Sequence, residues 1–147
     1  MVQARASDWW DDTVIIFVAD HGHPMPGKKE LQAKERYRIP LLMVGGAVKS
    51  DTIIHKHASQ TDLANTLLAQ LSDPSPAFNF SRDILSPNAP PFAVYFFNDG
   101  YGFVTPDQYL IFDNVGNQFL RKDGGGPEDL ERSRSFEQVL FTDYNRR

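Results

Sequence analysis

The chain has 147 residues, 41% of them hydrophobic and 12% aromatic, enough apolar material to fill a core and too much for a disordered segment. A formal charge of −4 leaves no basic stripe or patch of the kind nucleic acid requires. The absence of cysteine excludes disulfides, thiolate metal sites and a cysteine nucleophile, but does not fix the compartment.

The first residues, Met-Val-Gln-Ala-Arg-Ala, lack the apolar core of a signal peptide; if the parent protein is exported or anchored, the responsible segment is expected outside this chain. The longest apolar runs, Val14 to Ala19 and Phe92 to Phe97, have strand length and fall well short of the roughly 20 residues a membrane helix needs. Thr13 to Ala19 is a β-branched and aromatic run, the pattern of a strand buried on both faces of a parallel sheet. It stops at Asp20-His21-Gly22-His23, and Pro24, Pro26 and Gly27 then forbid regular structure. Lys28 to Arg38 is highly charged, a loop or a short helix. Ile39 to Val44 reads as a second buried strand, closed by Gly45-Gly46.

Thr52 to His57 has the length of a short strand. Ser59-Gln60-Thr61-Asp62 has the form of a capping box, with Ser59 placed to accept from backbone N–H groups and Asp62 favoured by the helix dipole. Behind it Leu63, Ala64, Leu67, Leu68 and Leu71 share one helical face. A Pro/Ser/Asn-rich connection runs from Ser72 to Pro91. Phe92 to Phe97, Gly102 to Thr105 and Gln108 to Phe112 then read as an antiparallel meander, turning at Asn98-Asp99-Gly100 and Thr105-Pro106-Asp107. Phe136, Val139, Leu140 and Tyr144 place an amphipathic helix at the end. The fold class expected is α/β: parallel strands, flanking helices and an antiparallel extension. Two parallel-type strands are few for a doubly covered sheet, so the sequence reads as the end of a larger fold.

Chemistry concentrates at Asp20-His21. In open α/β sheets ligands bind beyond the carboxyl ends of strands, where this pair falls. A carboxylate and an imidazole suit Zn or Mn, and Gly22 lets the backbone turn so that neighbours converge. The alternative is a pair of polar residues in a strand-to-loop turn, since two adjacent ligands do not complete a site. His23 is a further ligand, a substrate contact or an exposed loop histidine. His55 and His57 would share a face of a strand, either as a metal pair or as an exposed edge around Lys56. Ser59 and Thr61 have a nucleophile's hydroxyl, but capping accounts for both. Lys28, Lys29, Lys34, Arg36 and Arg38, against Glu30 and Glu35, either attract an anionic phosphate or sulfate group or form a solvated surface. The aromatics from Phe92 to Phe112 fit a sugar or lipid surface, though alternating sheet packing accounts for most of them.

The order of these segments is informative. Ala19-Asp20-His21-Gly22, then Arg38-Ile39-Pro40-Leu41-Leu42-Met43-Val44-Gly45, then Ser59-Gln60-Thr61-Asp62-Leu63-Ala64-Asn65-Thr66-Leu67-Leu68 resemble the C-terminal portion of the sulfatase and lipoteichoic acid synthase branch of the alkaline phosphatase superfamily. Phe78 to Leu85 and Asn98 to Phe103 resemble the lipoteichoic acid synthase group over more distant sulfatases. The likeness covers roughly residues 12 to 145. It implies that residues 1–147 form a single domain, the C-terminal part of a larger sulfatase-like catalytic domain with an alkaline-phosphatase-like sandwich. It also implies a divalent metal (Mn, or Zn, Mg or Ca) with Asp20 and His21 matching the C-terminal pair of ligands. The remaining ligands, a glutamate and the nucleophilic threonine, belong to a part of the family this chain lacks; sulfatases place a formylglycine there. The activity implied is phosphoglycerol transfer or hydrolysis of a sulfuric or phosphoric ester, with a phosphate or sulfate ester such as a phospholipid headgroup as substrate. The rest of the catalytic domain is the expected partner, and the parent protein is expected at the extracytoplasmic face of a membrane, cell-surface or periplasmic. The contrasting expectation is a binding or structural module that catalyses nothing as an isolated chain. Asn65 stands where the family often has proline.

Overall fold

The computed structural model describes residues 2–73 and 77–147. Residues 74–76, within the Ser72 to Pro91 connection, lie outside the described residues. The chain divides into two compact units, Met1–Ile54 and His55–Arg147.

The first unit opens with a single helical turn, α1 (Val2–Arg5), and a 3₁₀ turn over Trp10–Asp12. The expected strands then form, as β1 (Ile15–Val18) and β2 (Leu41–Val44), separated by a one-turn helix, α2 (Lys34–Tyr37). They pair with each other antiparallel, Ile15 opposite Val44 and Val18 opposite Leu41. This corrects the parallel arrangement expected from their composition. The connection between them, residues 19–40, carries a single helical turn and brings the chain back beside β1 in the opposite direction. Burial is also less than the runs implied: Phe17 is 51% exposed and Leu42 56%. No described residue of this unit is fully buried.

The second unit holds the core. Thr52 to His57 forms no strand; a strand needs a partner, and among the described residues none pairs with this stretch. Lys56 instead donates to the Ser86 carbonyl at 2.5 Å. The capping signal at Ser59 to Asp62 is realised: the Ser59 N–H donates to Asp62 Oδ2 at 2.8 Å, starting a 3₁₀ turn that runs into α3 (Leu63–Gln70). The buried residue of α3 is Thr66, whereas Leu71 is 73% exposed. The Thr66 hydroxyl donates to the Asp62 carbonyl at 2.7 Å and accepts from Ile84 N–H at 3.1 Å, so a polar side chain sits at the contact because both its functions are met.

The meander is a four-stranded antiparallel sheet in sequential order: β3 (Ala93–Phe97), β4 (Gly100–Val104), β5 (Gln108–Asp113) and β6 (Gln118–Gly124). Tyr101, Phe103, Leu110 and Phe112 fill one face with Phe92, Val94 and Leu130. Val104, Tyr109 and Ile111 fill the other with Tyr95 and Phe97. The aromatics thus build the sheet's two packed faces rather than an exposed ligand surface. Gly102 is required where it stands, since a Cβ there would fall on the Tyr95 ring. α4 (Pro127–Arg146) lies against the first face, with Tyr101 Oη 3.3 Å from Ser133 Oγ and the Phe136 ring edge-on to Phe92. No helix among the described residues is long and apolar enough to cross a membrane.

Candidate metal centre

β1 ends at Val18, and Asp20 and His21 follow at once in the loop, with side chains 89% and 75% exposed. Asp20 Oδ1 accepts from the His21 N–H at 3.0 Å, which fixes the carboxylate against the backbone of its neighbour. His21 Nδ1 lies 2.8 Å from the Gly22 carbonyl. A carbonyl only accepts, so Nδ1 carries the proton and Nε2 keeps its lone pair. That Nε2 lies 3.7 Å from Asp20 Oδ2. Two acceptors face each other at a spacing that two ligands of one cation, each at roughly 2.0–2.2 Å, can span. The donor set therefore fits a borderline divalent ion, and the Nδ1–H···O=C bond is the outer contact that commonly orients a ligating imidazole.

His23 has the opposite tautomer. The Met25 N–H donates to its Nδ1 at 3.0 Å, so in the neutral ring Nε2 carries the proton. A protonated Nε2 donates a hydrogen bond and does not ligate a metal. The sequence leaves His23 open as a further ligand, a substrate contact or an exposed loop histidine, and this tautomer speaks against the first.

Gly22 holds this loop in place. A Cβ there would fall on the Arg36 carbonyl and lie 2.7 Å from Tyr37 Cα, so only glycine lets the two backbone segments touch. The charged segment behind it is anchored rather than free: Lys29 Nζ donates to the Glu35 carbonyl at 3.1 Å and Tyr37 Oη to the Leu31 carbonyl at 2.8 Å. Burial pushes the Tyr37 phenol above its ordinary value, against the opposing Arg36 charge.

No group of three or more His, Cys, Asp or Glu residues converges among the described residues. His55 and His57, no longer on a strand, form no such cluster. Ser59 and Thr61 are not drawn into any catalytic grouping: the Ser59 hydroxyl accepts from Val94 N–H at 2.9 Å and so ties the start of α3 to β3. A polar cluster invisible to local sequence reading lies elsewhere, where buried Asp62 accepts from Arg82 Nε at 2.9 Å and from the Arg82 N–H at 2.9 Å. The two residues stand 20 positions apart, and nothing in their spacing announces the contact.

In fold the chain is like a solved structure, and the first half of its sequence is similar to the sulfatase family. A protein in the alkaline phosphatase superfamily from Vibrio parahaemolyticus has the same fold over 99% of this chain, with a TM-score of 0.76 at 20% identity. More narrowly, residues 2–73, which carry Asp20 and His21, match the sulfatase family model. This chain spans 38% of the length of the Vibrio protein. No curated protein matches the sequence.

Proposed function

We propose that this chain contributes part of the metal centre of a divalent-metal-dependent enzyme acting on phosphate or sulfate esters. The observation that carries the reading is the convergence of Asp20 Oδ2 and His21 Nε2 at 3.7 Å, with His21 Nδ1 tied to the Gly22 carbonyl. A bound divalent cation supplies Lewis acidity, polarising the ester oxygen and lowering the pKa of a coordinated hydroxyl nucleophile. Asp20 provides negative charge to hold such an ion, and His21 presents a neutral imidazole. In this reading His23, whose Nδ1 accepts from the Met25 N–H, donates from Nε2 to an oxygen of the anionic substrate. The sulfatase match over residues 2–73 supports the ester chemistry.

In the finer form of this reading, the parent protein is a manganese-dependent phosphoglycerol transferase of lipoteichoic acid synthase type. It is membrane-anchored, works at the extracytoplasmic face and takes its group from a phospholipid headgroup. The motif order at Phe78 to Leu85 and Asn98 to Phe103 supports that form over a sulfatase.

Titration calorimetry with Mn²⁺ and Zn²⁺ tests the centre. Weak binding is expected, abolished in Asp20→Ala and in His21→Ala; binding unchanged in both variants would remove the pair from the site. The isolated chain is expected to hydrolyse neither p-nitrophenyl phosphate nor p-nitrophenyl sulfate above background. Turnover by the chain alone that disappears in Asp20→Ala would show the centre to be complete in these 147 residues.

A further inference from the structure

The second unit carries an open groove of 710 Å³ between the turn at residues 78–81 and the outer face of α4, a size within the roughly 300–1,000 Å³ of small-ligand sites. Both of its walls are fixed. The Ser81 N–H closes the turn on the Phe78 carbonyl at 3.0 Å. Asn65 of α3 clamps that turn from behind, its N–H donating to Ser81 Oγ at 2.8 Å and its Nδ2 to the Ser81 and Phe78 carbonyls at 2.7 and 3.3 Å. The Phe80 ring packs edge-on against Phe136 of α4, with 5.8 Å between ring centres. Asn79 is left exposed at the tip of a turn held from two sides. On the opposite wall Ser135, Gln138, Val139, Thr142 and Arg146 recur at three- and four-residue spacing, so they form one stripe of the helix.

The side chains of Asn79, Ser135, Gln138 and Arg146 hydrogen-bond to no other described residue. The Asn79 and Gln138 carboxamides each set a donor beside an acceptor, Arg146 offers a planar fork of donors, and the Ser135 hydroxyl gives and accepts. A donor and an acceptor on one planar edge match two neighbouring ring hydroxyls, each of which also gives and accepts. The apolar part of the groove is small: Val139, 57% exposed, and the half-buried Phe80 ring. That suits the C–H face of a sugar and falls short of the aromatic and aliphatic centre on which a protein interface depends. Charge is close to balance. Asp143 accepts from Arg147 Nε at 2.8 Å, and Arg146 stands in the last turn of α4, where the negative end of the helix dipole offsets a cation.

We propose that this groove is a binding site for a neutral saccharide chain. The amides of Asn79 and Gln138, with Arg146 and Ser135, hold ring hydroxyls, while Val139 and Phe80 meet the apolar edges of the rings. A phosphate or sulfate group fits less well, because the offset Arg146 leaves little net positive charge to attract it. The groove belongs wholly to the second unit and needs neither Asp20 nor His21, so the proposal stands or falls separately from the metal centre.

The test is a ¹H–¹⁵N NMR titration of the whole chain with maltotetraose, cellotetraose and chitotetraose, which differ in linkage and substituent but carry no charge. At least one is expected to give saturable shifts at the side-chain amides of Asn79 and Gln138 and at Arg146 Nε–H. Asn79→Ala and Gln138→Ala are each expected to weaken that binding about fivefold or more, as loss of the matching hydrogen bonds requires. Both positions are exposed, and far-UV circular dichroism matching the parent chain shows that the variants fold. Asp20→Ala is expected to bind the saccharide unchanged. The absence of saturable shifts with all three saccharides overturns the proposal. So does binding indifferent to both Asn79→Ala and Gln138→Ala, or binding lost in Asp20→Ala, which would move the saccharide to the metal centre. Tighter binding of inorganic phosphate or of a hyaluronan tetrasaccharide than of any neutral chain would make the groove an anion site and overturns it as well.

Discussion

Arg82 grips Asp62 at two points, with Nε 2.9 Å from Oδ1 and Nη2 2.5 Å from Oδ2. The carboxylate side chain is 1% exposed and the guanidinium 18%. The remaining donors are also used. Arg82 Nη1 reaches the Pro90 carbonyl and Nη2 the Phe92 carbonyl, while the guanidinium carbon sits 3.6 Å from the centre of the Phe92 ring. One residue thus fastens the start of α3, the loop after it and the entry to β3.

Removing one partner of such a pair leaves a charge and several N–H groups without acceptors. Asp62→Ala is therefore expected to cost about 3–5 kcal/mol, read as a fall in the urea midpoint by circular dichroism. The loss comes from the orphaned Arg82 more than from the pair's own attraction, so adding Arg82→Met to Asp62→Ala is expected to recover part of it. A double variant no more stable than Asp62→Ala would contradict this account.

Gly22→Ala tests the contact that positions the candidate ligands. The new methyl meets the backbone of Arg36 and Tyr37, which no rotamer change relieves, and overpacking of this kind costs about 1–3 kcal/mol. Both tryptophans, Trp9 and Trp10, lie in the first unit, so thermal unfolding followed by tryptophan fluorescence reports the effect there. The melting temperature of that signal should fall, and Mn²⁺ binding should weaken with it. An unchanged melt would show that the loop yields without cost.

What the sequence revealed and what it concealed divide along the range of the interactions. β1 and β2 were legible because an uninterrupted apolar run is a local signal; their antiparallel pairing was not, because composition carries no information about the partner. β6 escaped notice because an edge strand needs no apolar face: Arg121, Lys122 and Asp123 face solvent, and its register slips between Ile111 and Phe112. The first turns of α4 were hidden for a similar reason, since Leu130 is the sole large apolar residue between Pro127 and Phe136. Thr66, a polar residue on an apolar helix, is buried through Asp62, one turn back, and through Ile84, which no local window around it contains. Asn65 belongs to the same group. Its backbone N–H donates to Ser81 Oγ at 2.8 Å and its amide Nδ2 to the Ser81 carbonyl at 2.7 Å, contacts a proline would lack. At the candidate metal centre the placement of Asp20 and His21 after a strand was readable, but the opposite tautomers of His21 and His23 are set by single backbone groups and emerge only in three dimensions.

Tyr101 gives the fold a pH dependence at the alkaline end. Burial pushes its phenol above the ordinary value of 10.0, against the opposing hydrogen bond to Ser133, with nearby Glu137 adding to the shift and Arg134 opposing it. Tyr101 Oη lies 3.3 Å from Ser133 Oγ, and the Ser133 hydroxyl also reaches the Leu130 carbonyl at 2.9 Å. A phenol whose pKa is raised on folding holds its proton longer in the native state. Its contribution is complete below pH 10 and is lost as the pH rises through the native value. Urea unfolding between pH 8 and about 11 should show stability declining above pH 10. Tyr101→Phe should flatten that decline while costing about 1 kcal/mol at neutral pH through the lost hydrogen bond. A variant whose decline matches that of the parent would place the titration elsewhere, Tyr37 being another tyrosine raised by burial.

The candidate metal pair makes the sharpest contrast with these structural sites, because its two side chains support almost nothing in the fold. Asp20 and His21 are 89% and 75% exposed, and surface substitutions away from packed features stay within about 0.5 kcal/mol. Asp20→Ala and His21→Ala should therefore leave the melting temperature nearly unchanged while removing Mn²⁺ or Zn²⁺ binding. His21→Gln separates ligation from polarity: its amide keeps a hydrogen-bonding end but is a far weaker ligand than imidazole for a borderline ion, so affinity should fall nearly as far as in His21→Ala. His23→Ala should leave metal affinity intact, since its Nδ1 is occupied by the Met25 N–H and its Nε2 carries a proton. If His23→Ala lowered metal affinity as much as His21→Ala does, the division of roles between the two histidines would be wrong, and both imidazoles would belong to the metal.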